Sequence, residues 1–336
     1  MKKLLAILLA LAVIGGAAIA QATVNGYVRT IGTFTDNGFA YADRLRLNLN
    51  YLSADKNVQF FGRIQGTAAG ITKNYMDNSF LDTDTNLFDK TGVLDTLKVT
   101  DLGIKYLWGS VQLPNGYAKL TGGYLGNYDY SIGSGISEYN LGNIVNDDWH
   151  FDSVYGLLLQ VFPIKGLNLG AAALTNSGTT NLNIYSLNGR YDVTDLGSVV
   201  VEGNTDNTFD WARYSATVSY TGVKDLTVNV GYKHHKNNDT SVIAIADYGM
   251  GEFAFEVAPE YFITQSALYV EGYVSYAKGP LTLNLLGAYD PDQMNLTGDY
   301  FAGLEVLYSV GKGLLQTGVN YDGTDWSIPV IVKVSF

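Results

Sequence analysis

The chain of 336 residues has no cysteine. Disulfide and thiolate chemistry are therefore excluded, and a chain of this length can bury enough apolar surface without cross-links. Histidine is nearly as scarce, with three residues, His150, His234 and His235. A hydrolytic centre needs a histidine near a carboxylate and a nucleophile. His150 follows Asp147 and Asp148 but falls in or next to a loop. His234 and His235 are adjacent, so on an extended segment they point to opposite faces, which spoils a relay and a metal clamp alike. Catalysis is not expected, nor is a metal or any other cofactor. "DPDQMN" at 290–295 offers oxygen ligands but lacks the spacing and glycine of a calcium loop, and reads as a solvated loop. No glycine-rich loop is suited to cradle a nucleotide phosphate.

Long hydrophobic runs are missing too. Beyond the first 22 residues nothing approaches the ~18 apolar residues of a spanning helix. The longest run, 154–164, is interrupted by Gln160 and Pro163, so a helical membrane protein is excluded. Charge is sparse at 16% of residues and unbalanced, with a net of −11. An acidic balance argues against nucleic acid and anionic lipid as partners.

At the N-terminus, Met1-Lys2-Lys3 precedes an apolar run over 4–14 and small residues ending Ala20-Gln21-Ala22. A charged start, a short apolar core and an A-x-A site describe a cleaved secretory signal. Residues 1–22 are expected to be removed, which leaves 23–336 as a single domain and, without Lys2 and Lys3, a net charge of −13. The composition is 47% hydrophobic with 25 tyrosines and 38 glycines, a mixture that suits strands and tight turns.

Alternation recurs along the whole length. Leu45, Leu47, Leu49 and Tyr51 are set against Arg44, Arg46, Asn48 and Asn50; Leu226, Val228, Val230 and Tyr232 against Thr227, Asn229 and Lys233. The chain ends the same way: Trp326, Ile328, Val330, Val332, Val334 and Phe336 share one face of "WSIPVIVKVSF". Period two marks strands with one apolar face. A soluble sandwich and a membrane barrel share this pattern. Aromatic residues at the ends of apolar faces, among them Tyr51, Tyr191, Tyr220, Tyr289, Tyr308 and Trp326, favour the barrel, where they form girdles at the lipid–water boundary.

Connections alternate between short and long. The short ones are 53–57, 113–116, 162–166, 192–197, 221–225, 277–280 and 310–313, rich in glycine, proline or aspartate. The others fall near 34–40, 69–98, 127–150, 177–180, 204–209, 237–265, 290–299 and 322–325. Seven short turns and eight outer loops predict sixteen strands in an all-β, antiparallel, up-and-down transmembrane barrel. Segment 237–265 is read as a long outer loop; if it held two further strands the count would be eighteen.

The signal peptide, "LPNGYAKLTGGYLGN" (113–127) ahead of a long loop, and the terminal "VIVKVSF" together resemble a general bacterial outer-membrane porin. The resemblance implies a water-filled channel for passive diffusion of ions and small hydrophilic solutes, a homotrimer, and location in the outer membrane in contact with its lipid. It also implies that Phe336, with Val334 and Val332, is the signal read by the barrel-assembly machinery, and that the third outer loop folds inward. That loop, 127–150, carries Asp129, Glu138, Asp147 and Asp148 and no lysine or arginine. The inward positions of the early strands are basic: Arg29, Arg44, Arg46, Arg63, Lys105 and Lys119. Opposed in this way, acids and bases form a constriction with a transverse field. Glu202, Glu271 and Glu305 also point inward, so the wall is not uniformly basic, and the net charge leans only weakly towards cations. Inward Tyr27, Phe61, Tyr269 and Tyr273 offer a sugar track in a substrate-specific channel for sugars or anions, and a structural or adhesive barrel with a closed lumen is a further alternative. Pro329, unable to donate to a ladder, is the irregularity of the closing strand.

Overall fold

The computed structural model describes residues 21–35, 38–70, 98–99, 103–125, 154–175, 182–205, 211–235, 240–292, 296 and 298–336. Residues 1–20, most of the expected signal segment 1–22, lie outside the described residues, whereas Gln21 and Ala22 open the first strand. Also outside them is 126–153, which includes Asp129, Glu138, Asp147, Asp148 and His150.

The described chain is one antiparallel sheet closed on itself. Its strands are β1 (Gln21–Thr35), β2 (Gly38–Leu52), β3 (Val58–Gly70), the two-residue rung β4 (Lys98–Val99), β5 (Gly103–Gln112) and β6 (Ala118–Leu125). They continue as β7 (Val154–Ile164), β8 (Leu167–Thr175), β9 (Leu182–Val193), β10 (Gly197–Thr205), β11 (Trp211–Val223) and β12 (Leu226–His235). The last are β13 (Thr240–Met250), β14 (Phe253–Phe262), β15 (Ala267–Lys278), β16 (Leu281–Tyr289), β17 (Tyr300–Val310), β18 (Gly313–Tyr321) and β19 (Trp326–Ser335). β4 pairs with Ala68 and Ala69 just above the pairing of β3 with β5, so the two lie along one stave. The wall therefore has eighteen staves.

Eighteen replaces the sixteen expected from the sequence. Segment 237–265, read there as an outer loop, contains β13 and β14, joined by the eighth short turn at Gly251-Glu252. Glycine at φ +64 opens this two-residue hairpin, as Gly279 and Gly311 do at φ +59 and +57 in theirs. That conformation suits a hairpin whose twist matches its strands and disfavours a side chain. A Cβ at residue 251 would meet nothing within 4 Å. Gly251→Ala is therefore expected to cost only the backbone term, about 1–2 kcal/mol, read from the denaturant midpoint of the folded barrel.

At the inner end, defined by the short turns, the Asp55 carboxylate accepts hydrogen bonds from the Ser53 hydroxyl and from the backbone and side chain of Asn57. These contacts, the Ser53 bond first, hold the Asp55 pKa below the ordinary carboxylate range.

The seam is made by β1 and β19, in register from Tyr27 opposite Ser335 to Thr35 opposite Ser327. Phe336 closes it: its N–H donates to the Gly26 carbonyl at 3.0 Å and its carbonyl accepts from Gly26 N–H at 3.2 Å. A Cβ on Gly26 would lie 2.1 Å from the Arg46 carbonyl oxygen, so only glycine lets β1 fit between its neighbours here. Gly26→Val should sharply reduce the fraction of chains that close, measured as the folded, heat-shiftable band in electrophoresis. Pro329 pairs with Thr33 on the β1 side. On the β18 side the pairs pass from Thr317–Val330 to Asn320–Ser327 without a change of register. The proline thus interrupts hydrogen bonding locally, and the Thr317 hydroxyl donates to its carbonyl at 3.0 Å.

Alternation sorts the side chains into two faces. Leu285 is 59% exposed, Val334 53% and Leu157 52%, all on the outward face. Tyr191, Tyr220 and Tyr308 stand outward near the inner end. Tyr300, Tyr321 and Trp326 pack as tilted pairs at the other end, with ring centroids 5.7 and 4.8 Å apart.

Candidate functional site

The inward face carries the charge. Arg29 of β1 lies between Arg44 of β2 and Lys333 of β19; Arg46 lies between Tyr27 and Gln65; Arg63 lies between Asn48 and Tyr106. Lys119 of β6 lies between Gln112 and Gln160. Five of the six expected basic residues therefore share one side of the sheet on neighbouring strands.

Lys105 is the exception. Arg63 pairs with Tyr106 and Ile64 with Ile104, so Lys105 is the extra residue of a bulge. An extra residue breaks the period-two phase on which its inward assignment depended. Its ammonium lies 5.6 Å from the Tyr106 ring centroid.

Rings and cations interleave along this wall. The Tyr27 ring has Lys333 Nζ at 4.6 Å, the Arg46 guanidinium at 5.2 Å and the Arg29 guanidinium at 5.9 Å. Arg63 sits 5.1 Å from the Tyr106 centroid and 5.5 Å from that of Phe61. Lys119 lies 6.0 Å from Trp108, which packs against Phe61 at 5.6 Å. Two amide side chains orient the guanidinium groups: Arg46 Nε donates to Gln65 Oε1 and Arg63 Nε to Asn48 Oδ1, each at 2.9 Å.

Apart from Glu202, which is buried on the inward face of β10 opposite Asn188 and Ser215, the buried inward acids gather on another arc. Glu256 and Glu260 of β14, Glu271 of β15, Asp290 at the outer end of β16 and Glu305 of β17 are all buried. Glu271 and Glu305 were legible as inward residues. Glu256 and Glu260 fall in the segment that the sequence presents as loop, although Ala254, Glu256, Ala258 and Glu260 alternate with Phe255, Val257, Pro259 and Tyr261. Glu260 pairs with Lys233 at 3.0 Å and accepts from the Ser241 hydroxyl. Glu271 accepts from the Tyr269 hydroxyl at 2.6 Å, and Glu305 accepts from Asn284 and Gln316.

Not all of the inward face is polar. Ile243, Ile245, Ala258, Phe262, Tyr269, Leu286 and Phe301 form one buried cluster with Ile31 and Ile331. Leu125, Leu158, Ala172, Leu174 and Ile184 form a second, with Trp108 against it. Leu296 joins the first cluster, and its N–H donates to the Asp290 carboxylate at 2.7 Å. The solvated-loop reading of 290–295 is therefore corrected at Asp290, which is fully buried.

Of the aromatic track suggested by the sequence, Tyr27 and Phe61 belong to the basic wall, whereas Tyr269 and Tyr273 belong to the acidic arc. His234 faces outward, stacked on Tyr214 at 4.6 Å with Nδ1 2.8 Å from the Thr240 hydroxyl. Val332, Val334 and Phe336 are all exposed on the outward face of the closing strand.

No protein-family model and no curated protein sequence matches the chain. Solved structures do. Two variants of the Rhodopseudomonas blastica porin align over 94% of this chain and 100% of their own, with TM-scores of 0.52 and 0.51 at 11% and 12% identity. A third variant gives a TM-score of 0.50 at 12% identity over the same shares. The protein has the closed antiparallel barrel fold of these bacterial porins.

Proposed function

We propose that the protein is an outer-membrane channel that passes ions and small hydrophilic solutes by passive diffusion, without turnover. The observation that carries this reading is the sorting of side chains by the closed sheet. Large apolar residues are exposed outside, whereas arginine, lysine and glutamate stand inside. In hydrocarbon a closed barrel is the one sheet with no unpaired edge, and its polar face then encloses water. Porin-like neighbours support the same reading at the level of fold.

Several parts of the proposal rest on the sequence. Residues 1–22 serve as the export signal, Val332, Val334 and Phe336 as the assembly signal, and three copies associate in the membrane. Asp129, Glu138, Asp147 and Asp148 of the third outer connection oppose Arg29, Arg44, Arg46, Arg63 and Lys119 at the narrow point. Single-channel recording of purified protein in a planar bilayer tests the channel itself: stepwise openings are expected, and a silent, correctly folded barrel would sink it. Neutralising Arg44, Arg46 and Arg63 to glutamine should raise the cation-to-anion permeability ratio on the order of severalfold, since a charged, low-dielectric cleft enriches its counter-ion. Unchanged reversal potentials would remove these side chains from the narrow point.

The two buried apolar clusters on the inward face favour a second reading, a structural barrel whose lumen is largely filled. The same recording separates the two.

A further inference from the structure

We infer that the rim of short turns is a docking surface for anionic phospholipid, with Lys56, Lys165 and Lys312 reaching the headgroup phosphates of the adjacent leaflet. The proposal deepens the channel reading by naming a lipid partner, and it rests on the outward face lying in a membrane. Three lysines at one end of the barrel carry it. All three are exposed, and among the described residues their side chains make no ion pair or hydrogen bond. The turns that bear them are fixed at one level by backbone bonds to the next strand. The carbonyls of Asn57, Gly166 and Lys312 accept from the N–H groups of Gln112, Asp192 and Ser335 at 2.7, 2.8 and 2.9 Å.

The net charge of −11 conceals this end. It is an average over the chain, whereas attraction to a headgroup is local and fades within a Debye length. The carboxylates of the rim are mostly engaged. Asp55 accepts from Ser53 and Asn57, and Asp192 is paired with Arg190 at 2.8 Å. Asp225 and Glu252 lie 3.8 and 3.5 Å from Lys224 and Lys278. Asp195 is the remaining acid of these turns. Unpartnered positive charge therefore stands at the rim of an acidic protein.

The surroundings favour a lipid over a soluble acidic partner. Val58, Ile164 and Val310, close in the chain to the three lysines, are exposed on the outward face. A lysine stem can lie along such a surface while its ammonium reaches headgroup depth. Tyr191 and Tyr308 stand outward near the same end, where tyrosines mark the boundary of the hydrocarbon. A partner approaching from water would have no use for that apolar surface.

Native mass spectrometry of the folded barrel, released from micelles holding equal amounts of phosphatidylglycerol and phosphatidylcholine of matched chains, counts the lipids retained. The first bound phosphatidylglycerol is expected to be favoured about fivefold, the size of one lysine–headgroup contact. Lys56→Gln, Lys165→Gln and Lys312→Gln together should bring the ratio close to one, and the same three positions changed to arginine should preserve the preference. The heat-shiftable band in electrophoresis checks that both variants fold. Equal retention in the unaltered protein would overturn the proposal, as would a preference that survives in the triple glutamine variant. Binding of poly-glutamate that is lost in that variant, with no lipid preference, would assign the lysines to a soluble acidic partner and overturn it too. A conducting protein without the preference loses this inference alone; a silent protein that shows it loses the channel reading alone.

Discussion

Leu285→Arg is expected to destabilise the folded barrel in lipid vesicles by about 2–4 kcal/mol, the cost of a charged side chain on the lipid face at mid-membrane depth. Leu285 lies in the middle of β16, pairs outward with Val274 and Leu304, and is 59% exposed. In a water-soluble protein an arginine at so exposed a position changes stability by no more than about 0.5 kcal/mol. The measurement is the midpoint and slope of reversible urea unfolding from vesicles. Ser275→Arg serves as the control. Ser275 is on the inward face of the adjacent strand, opposite Asn284 and Ala254. An arginine there meets the lumen and should cost far less than at Leu285. Equal effects at the two sites would mean that the outward face does not contact hydrocarbon.

The second large effect concerns Lys233 and Glu260. Their 3.0 Å ion pair crosses from β12 to β14 past Ser241, with the lysine 8% and the carboxylate 0% exposed. Two charges removed from water are tolerable only while they compensate each other. Lys233→Met leaves the glutamate buried against its neighbours and should cost about 3–5 kcal/mol. Combining it with Glu260→Gln removes the orphaned charge, and the double variant should recover most of that loss. The double-mutant cycle gives the coupling directly. Additive losses would show that the two residues act separately, with Glu260 held by groups other than the lysine.

Much of the wall is legible in the sequence because a strand writes its two faces locally. Leu45, Leu47 and Leu49 against Arg44, Arg46 and Asn48 need no knowledge of partners to be sorted. Glycine and aspartate mark the hairpins for the same reason, although the strands reach further than expected and tighten several turns to two residues, as at Gly279-Pro280. The reading failed where the inward face is itself apolar. In β13 the inward Ile243 and Ile245 alternate with outward Val242, Ala244 and Ala246, so the contrast that reveals a strand is lost. Those isoleucines are apolar because they pack against Ala258, Phe262 and Leu286 inside the barrel, a non-local fact. Leu158 in β7 and Leu174 in β8 also face an apolar interior, yet the short turn at 162–166 still marks both strands.

The candidate site divides along the same line. That arginines of β1, β2 and β3 point inward follows from period two alone, a consequence of backbone geometry within each strand. Which rings they meet depends on register between strands far apart in the sequence. Lys333 reaches Tyr27 only because the last strand closes on the first. Tyr106, rather than Lys105, faces Arg63 only because a bulge shifts the phase. The sequence by itself determined the strand class, the two faces of the strands it identified, seven of the eight short turns and the sign of charge on the early inward face, since these are properties of short extended segments. The tertiary structure alone decided the eighteen staves, the separation of basic and acidic arcs, the Lys233–Glu260 pair and the ring-and-cation wall, because each requires distant strands to be hydrogen-bonded in one particular register.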